Sequence, residues 1–98
     1  MVSNIVFTKR AERAFYEIAT FLEQNLSISA AQKFATNVDT KIKRLQEHPF
    51  IGRPSSKAKT VRKINISKNI QMMYRIVGKT LIISNFFDTR QDPNKSRF

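Results

Sequence analysis

The side chains of this chain that could do chemistry are almost all cations. Eighteen Lys and Arg stand against seven Asp and Glu, for a formal net charge of +11. Their placement is lopsided: residues 1–50 carry 7 basic and 5 acidic side chains, whereas residues 51–98 carry 11 and 2. A half with a net charge of +9 attracts polyanions or an acidic protein partner. The groups that enzymes use as nucleophiles and proton carriers are scarce. Cys is absent, which removes disulfides, thiolate zinc sites and a Cys nucleophile together. The single His, His48, leaves no room for a His-rich metal site. It stands directly before Pro49, where it suits the end of a helix. Gly52 and Gly78 are the only glycines, too few for a phosphate-cradling loop. After residue 50 the only carboxylates are Asp88 and Asp92, and Asp92-Pro93 has the form of a turn initiator. No metal and no cofactor are expected.

Elements must position these cations, and 98 residues allow one domain, spanning 1–98. Hydrophobic residues at 41% and charged residues at 26% fit a folded chain. Ile5-Val6-Phe7 predicts a short strand. Thr8 then caps a helix with apolar positions Ala11, Ala14, Phe15, Ile18, Phe21 and Leu22, ending near Gln24. Ser29 is the expected cap of a second stripe, Ala31, Phe34, Ala35, Val38, Ile42 and Leu45, which Pro49 stops. Residues 50–60 read as a loop. From Val61 onward the period becomes that of strands: 61–67, 70–77 and 81–88.

Gly78-Lys79 predicts a type II′ hairpin turn that sets Val77 opposite Thr80. That register puts Ile70, Met72, Tyr74 and Ile76 on the core face together with Leu81, Ile83, Asn85 and Phe87. Gln71, Met73, Arg75, Ile82, Ser84 and Phe86 fall on a second face that should be open. A three-residue turn, Ser67-Lys68-Asn69 with Asn69 left-handed, brings Ile64 and Ile66 to the core. The expected fold is therefore α+β, in the order β-α-α-β-β-β. A helical hairpin packs on one face of a small, mostly antiparallel four-stranded sheet. Counting directions makes the first strand antiparallel to the second and fourth strands and parallel to the third.

On the open face, Lys63 and Arg75 point outward and Arg90 continues the same parity, with Met73 and Phe86 between them as apolar contacts. Arg62 at the sheet edge and the tail carrying Lys95 and Arg97 complete a candidate target-binding set. No apolar run approaches the ~20 residues that span a bilayer, and Met1-Val2-Ser3-Asn4 lacks a charged start to a signal segment, so no membrane contact and a cytoplasmic location are expected.

Several stretches resemble one family over nearly the whole chain. They are Ala30-Ala31, Phe34, Ile42 and Leu45, then Pro49-Phe50-Ile51-Gly52-Arg53, Val61-Arg62, Tyr74-Arg75-Ile76 and Asp88-Thr89-Arg90-Gln91-Asp92-Pro93. Together they are similar to the RelE/ParE superfamily of toxins from type II toxin–antitoxin modules, nearer the ParE-like branch. The resemblance implies a growth-inhibiting toxin neutralised by a cognate acidic antitoxin. It also implies one of two activities. One branch inhibits DNA gyrase by protein contact and carries no catalytic residues; the other enters the ribosome and cuts mRNA. Two departures favour gyrase. A basic residue of the cutting branch corresponds here to Gln71, and no Tyr or His follows Arg90, only Phe98. As an mRNA endoribonuclease, the alternative, the chain would use Lys63, Arg75 and Arg90, with Lys63 or Asp88 moving the proton. A plain basic nucleic-acid-binding module is the second alternative.

Overall fold

Local chemistry fixes where each helix begins and ends. The structure is a computed structural model that describes residues 2–56, 58 and 60–89. Strand β1 (Asn4–Phe7) runs into helix α1 (Lys9–Asn25) through Thr8, whose hydroxyl accepts a hydrogen bond from the Ala11 amide at 3.0 Å. Helix α2 (Ile28–Glu47) is capped by Ser27, whose hydroxyl accepts from the Ala30 amide at 3.0 Å. The cap thus lies two residues before the expected Ser29. Starting there adds Ile28 and Ser29 to the first turn of the helix. His48 closes α2 by donating its amide to the Arg44 carbonyl at 2.9 Å, and Pro49 follows.

The sheet has five strands where four were expected. Strand β2 (Arg53–Pro54) lies in the segment read as a loop, followed by β3 (Arg62–Asn65), β4 (Ile70–Val77) and β5 (Thr80–Asp88). The spatial order is β1-β5-β4-β3-β2. Pro54 is tolerated because β2 is an edge strand. That extra pass across the sheet reverses every later strand, so β1 pairs in parallel with β5, Asn4 beside Thr80 and Phe7 beside Ile83. The antiparallel relation expected between these two strands is corrected accordingly. The remaining pairs are antiparallel.

Both hairpin turns have the expected lengths. Val77 pairs with Thr80, Gly78 has φ +60°, and no described non-glycine residue has a positive φ, which matches type II′. At the other turn the amides of Ile66 and Ser67 both donate to the Ile70 carbonyl, at 2.8 and 3.3 Å, and Ile64 and Ile66 face the core. Asn69, however, is not left-handed. Its carbonyl instead accepts from the Thr89 amide at 3.0 Å, which ties the turn to the end of β5.

The register of β4 against β5 slips once. Tyr74 pairs with Ile83 and Met73 with Asn85, so Ser84 is a bulge residue without a partner on β4. The Ser84 carbonyl accepts from the Thr8 hydroxyl at 3.1 Å. Beyond the bulge every β5 side chain changes face. Phe86 enters the core, while Asn85 and Phe87, expected there, lie on the opposite face beside Met73 and Gln71. In the core Phe86 meets Phe7 at 6.3 Å, Phe15 at 5.8 Å and Phe34 at 6.0 Å between ring centroids, joining both helices to β1 and β5. Replacing Ser27 by Ala should destabilise the fold by about 1 kcal/mol, whereas Ser29→Ala should stay within about 0.5 kcal/mol of wild type, as read from urea midpoints.

Candidate functional site

The turn out of α2 is held by two side chains that are cross-strand neighbours, Arg62 on β3 and Tyr74 on β4. The Tyr74 hydroxyl donates to the Pro49 carbonyl at 2.9 Å and accepts from the Gly52 amide at 3.0 Å. Arg62 Nη1 donates to the Gly52 carbonyl at 2.8 Å and to the Phe50 carbonyl at 3.2 Å, and its guanidinium lies 5.1 Å from the centroid of the Phe50 ring. Gly52 is required for want of space. A Cβ there would sit 2.6 Å from the Tyr74 hydroxyl and 2.8 Å from the Lys63 carbonyl. Tyr74 is fully buried, and desolvation pushes its pKa above the usual 10.0 although the Gly52 hydrogen bond and the Arg62 charge pull it down. The pinned corner leaves Phe50 63% and Ile51 46% exposed.

The face of the sheet turned away from the helices carries the cations. One row crosses it as Arg53, Lys63, Met73 and Asn85 on β2, β3, β4 and β5. The next row toward the β4–β5 turn holds exposed Arg75 beside Ile82, with Val6 on β1 beyond. On the other side lie Asn65 and Gln71, joined by a 3.2 Å hydrogen bond, and Phe87. The face is less open than its composition suggested, because Met73, Asn85 and Phe87 are buried.

Of the expected target-binding set, Lys63 and Arg75 share this face, with Lys63 half-buried and Arg75 exposed. Arg62 lies on the opposite face, one strand in from the edge, with its guanidinium engaged by the Phe50 and Gly52 carbonyls. Arg90, Lys95 and Arg97 lie outside the described residues. Phe86 cannot supply the apolar contact assigned to it, since it is 3% exposed within the core. The sequence reading missed Arg53 as the partner of Lys63 and missed the hydroxyl of Tyr74 as a loop anchor. A signal for the second was present: a buried Tyr needs a partner for its polar end. Among the described residues no group of three His, Cys, Asp or Glu could hold a metal, and no helix is long and apolar enough to cross a membrane.

The helical hairpin thus lies on one side of a mixed sheet and the cations Arg53, Lys63 and Arg75 on the other. The chain belongs to the family of ParE toxins of type II toxin–antitoxin systems, whose family model matches residues 5–93. No curated protein matches significantly in sequence. Solved structures share the fold at low identity. The chromosomal ParDE toxin–antitoxin system of P. aeruginosa is similar with a TM-score of 0.74 at 20% identity, covering 89% of this chain and 96% of that one. A YoeB/ParE toxin from Agrobacterium tumefaciens is similar with a TM-score of 0.63 at 13% identity, over 88% and 98%. The E. coli DinJ-YafQ toxin–antitoxin complex is similar with a TM-score of 0.65 at 9% identity, over 94% and 98%.

Tyr74→Phe leaves the Gly52 amide and the Pro49 carbonyl without their partner and should cost about 1–3 kcal/mol. Because the folded pKa of Tyr74 is raised above 10.0, its contribution is fully present below that pH and is lost as pH rises through the folded value. The stability gap between wild type and Tyr74→Phe should therefore narrow between pH 8 and strongly alkaline pH, as measured by urea midpoints.

Proposed function

We propose that this ParE-family toxin arrests growth by binding DNA gyrase and is held inactive by a cognate acidic antitoxin. One observation carries the reading of the target. The sheet face that presents Arg53, Lys63 and Arg75 holds no His, Cys, Tyr or carboxylate among the described residues. Cleaving RNA by general acid–base chemistry needs a group that passes a proton, and of the two named for that role Asp88 is buried beside Ile70 on the helix side, which leaves Lys63 by itself on this face. The tyrosine of the sheet, Tyr74, faces the other way with its hydroxyl committed to Pro49 and Gly52. His48 is exposed at the end of α2. What the face offers is positive charge and shape, which suits protein contact with an acidic surface. A gyrase target places the protein in the cytoplasm.

The antitoxin reading rests on different surfaces. Tyr16 on α1 is 70% exposed, and Leu26 and Ile28, at the turn of the helical hairpin, are 61% and 63% exposed. Strand β1 lies at the edge of the sheet with Ile5 and Val6 exposed. An acidic segment that folds on binding can cover such a hairpin and add a strand to such an edge. Similar solved folds include the DinJ-YafQ toxin–antitoxin complex and a heterotetrameric YoeB-YefM toxin–antitoxin complex from Staphylococcus aureus. Purified protein should abolish plasmid supercoiling by gyrase, while primer extension on total mRNA from cells expressing it alone shows intact message. Lys63→Ala and Arg75→Ala should weaken gyrase binding several-fold, mainly through slower, salt-sensitive association. Cuts at codon boundaries with normal supercoiling would replace this reading by the ribosome-dependent endoribonuclease.

A further inference from the structure

We propose that the Pro49–Gly52 corner is the apolar anchor with which this chain grips an acidic protein target. Phe50 and Ile51 enter the partner, and Arg53 and Lys63 meet its carboxylates. The inference rests on the reading that the chain acts by protein contact, and it names the part of the surface that carries the contact.

Two adjacent apolar side chains stand out from a loop, Phe50 at 63% exposure and Ile51 at 46%. They contribute little to the core, yet the backbone around them is fixed. Tyr74 and Arg62 between them bind the Pro49, Phe50 and Gly52 carbonyls and the Gly52 amide. The Arg62 guanidinium also supports the Phe50 ring. A protruding aromatic on a pinned backbone loses little conformational freedom on docking, which is the property that turns exposed area into affinity. Aromatic side chains and Arg are also the residue types that dominate binding energy at interfaces.

Charge selects the kind of partner. Arg53 follows the corner directly and is exposed, and it pairs across the sheet with Lys63. The chain from Ile51 onward, the second residue of the apolar pair, has 11 basic and 2 acidic side chains. An apolar plug with Arg62 against its ring and exposed Arg53 directly after it in the chain fits a hydrophobic recess rimmed by carboxylates. A nucleic acid fits less well. Stacking sites need successive planar groups, and here Ile51 offers no plane while Arg62 already lies over the Phe50 ring.

The test uses the full chain with Phe50→Ala and Ile51→Ser combined, and Val77→Ala as a control at another exposed apolar position. Both should keep the wild-type circular dichroism spectrum and the melting temperature to within a few degrees. At physiological salt the double variant should bind purified DNA gyrase at least about tenfold more weakly and fail to arrest growth, while Val77→Ala matches wild type on both counts. Unchanged gyrase affinity and unchanged arrest in the double variant would overturn the proposal. So would a loss confined to binding of a single-stranded RNA oligonucleotide, which would make the corner a stacking site. If the wild-type protein does not bind gyrase, the gyrase reading fails separately and growth arrest decides. Arrest relieved by the double variant but not by Val77→Ala, with mRNA intact, upholds the corner against another protein, and arrest retained refutes it.

Discussion

A single buried oxygen, the hydroxyl of Tyr74, serves as donor to Pro49 and acceptor from Gly52 and so fastens the end of α2 to the middle of the sheet. Removing it would strand a buried amide, which is costlier than never having made the bond. Its approach is so close that Gly52 has no space for a side chain. Once the chain passes through Gly52, Arg53 and Pro54 lie antiparallel to Lys63 and Arg62 as the fifth strand. That one short strand sets the direction of all that follow it, including the parallel alignment of β5 with β1. The orientation of Lys63 and the exposure of Phe50 descend from the same contact.

A second constraint acts in the middle of β5, at Ser84. Where β1 stops at Phe7, Thr8 caps α1 with its hydroxyl oxygen and donates the hydroxyl proton to the carbonyl of Ser84. The bulge therefore has its polar group satisfied by the residue that starts the helix, which explains how an extra residue is accommodated in a central strand. Its consequence is chemical. Without Ser84 as an unpaired residue, Phe86 would lie among the cations and Asn85 would face the aromatic core. With it, four phenylalanines meet beneath the helices and an amide sits on the charged face.

This division between legible and hidden features follows from the range of the interactions. Helices, the II′ turn and the length of the Ser67-Lys68-Asn69 turn are recorded in local spacing, in caps and in Gly78, so the sequence displays them directly. The bulge is not local: Asn85 and Phe87 alternate as well as any regular strand, and only the pairing with β4 and the contact with Thr8 reveal the slip. Arg53-Pro54 is too short to show a period and contains a residue poor in strands, so its pairing was invisible. Ser27 lost to Ser29 for a similar reason, since both precede the apolar stripe and the choice depends on how α1 ends. On the site, charge was readable, because it is a property of composition, but side was not. Lys63 and Arg75 lie on one face as parity required and the same alternation sends Arg62 to the other, while Phe86 is turned there by the bulge, whose contacts are far away in sequence.

Arg62 and Lys63 show how one basic stretch can serve two ends. As neighbours on a strand they must point to opposite faces. The residue facing the pinned corner has to reach two carbonyls and lie against a ring, and a planar guanidinium with several fixed donors does this where an ammonium could not. The residue facing outward stands beside Arg53 and Met73, where a point charge on a flexible stem is enough to attract an acidic surface. The excess of cations in this half is thus not uniform. Part of it, the half-buried Arg62, holds the loop that lifts Phe50 into solvent, and part remains on the opposite sheet face with Arg53 and Lys63. Structural and attractive charge are set one residue apart, so whatever orders the corner also fixes the spacing between its apolar tip and the nearest cations.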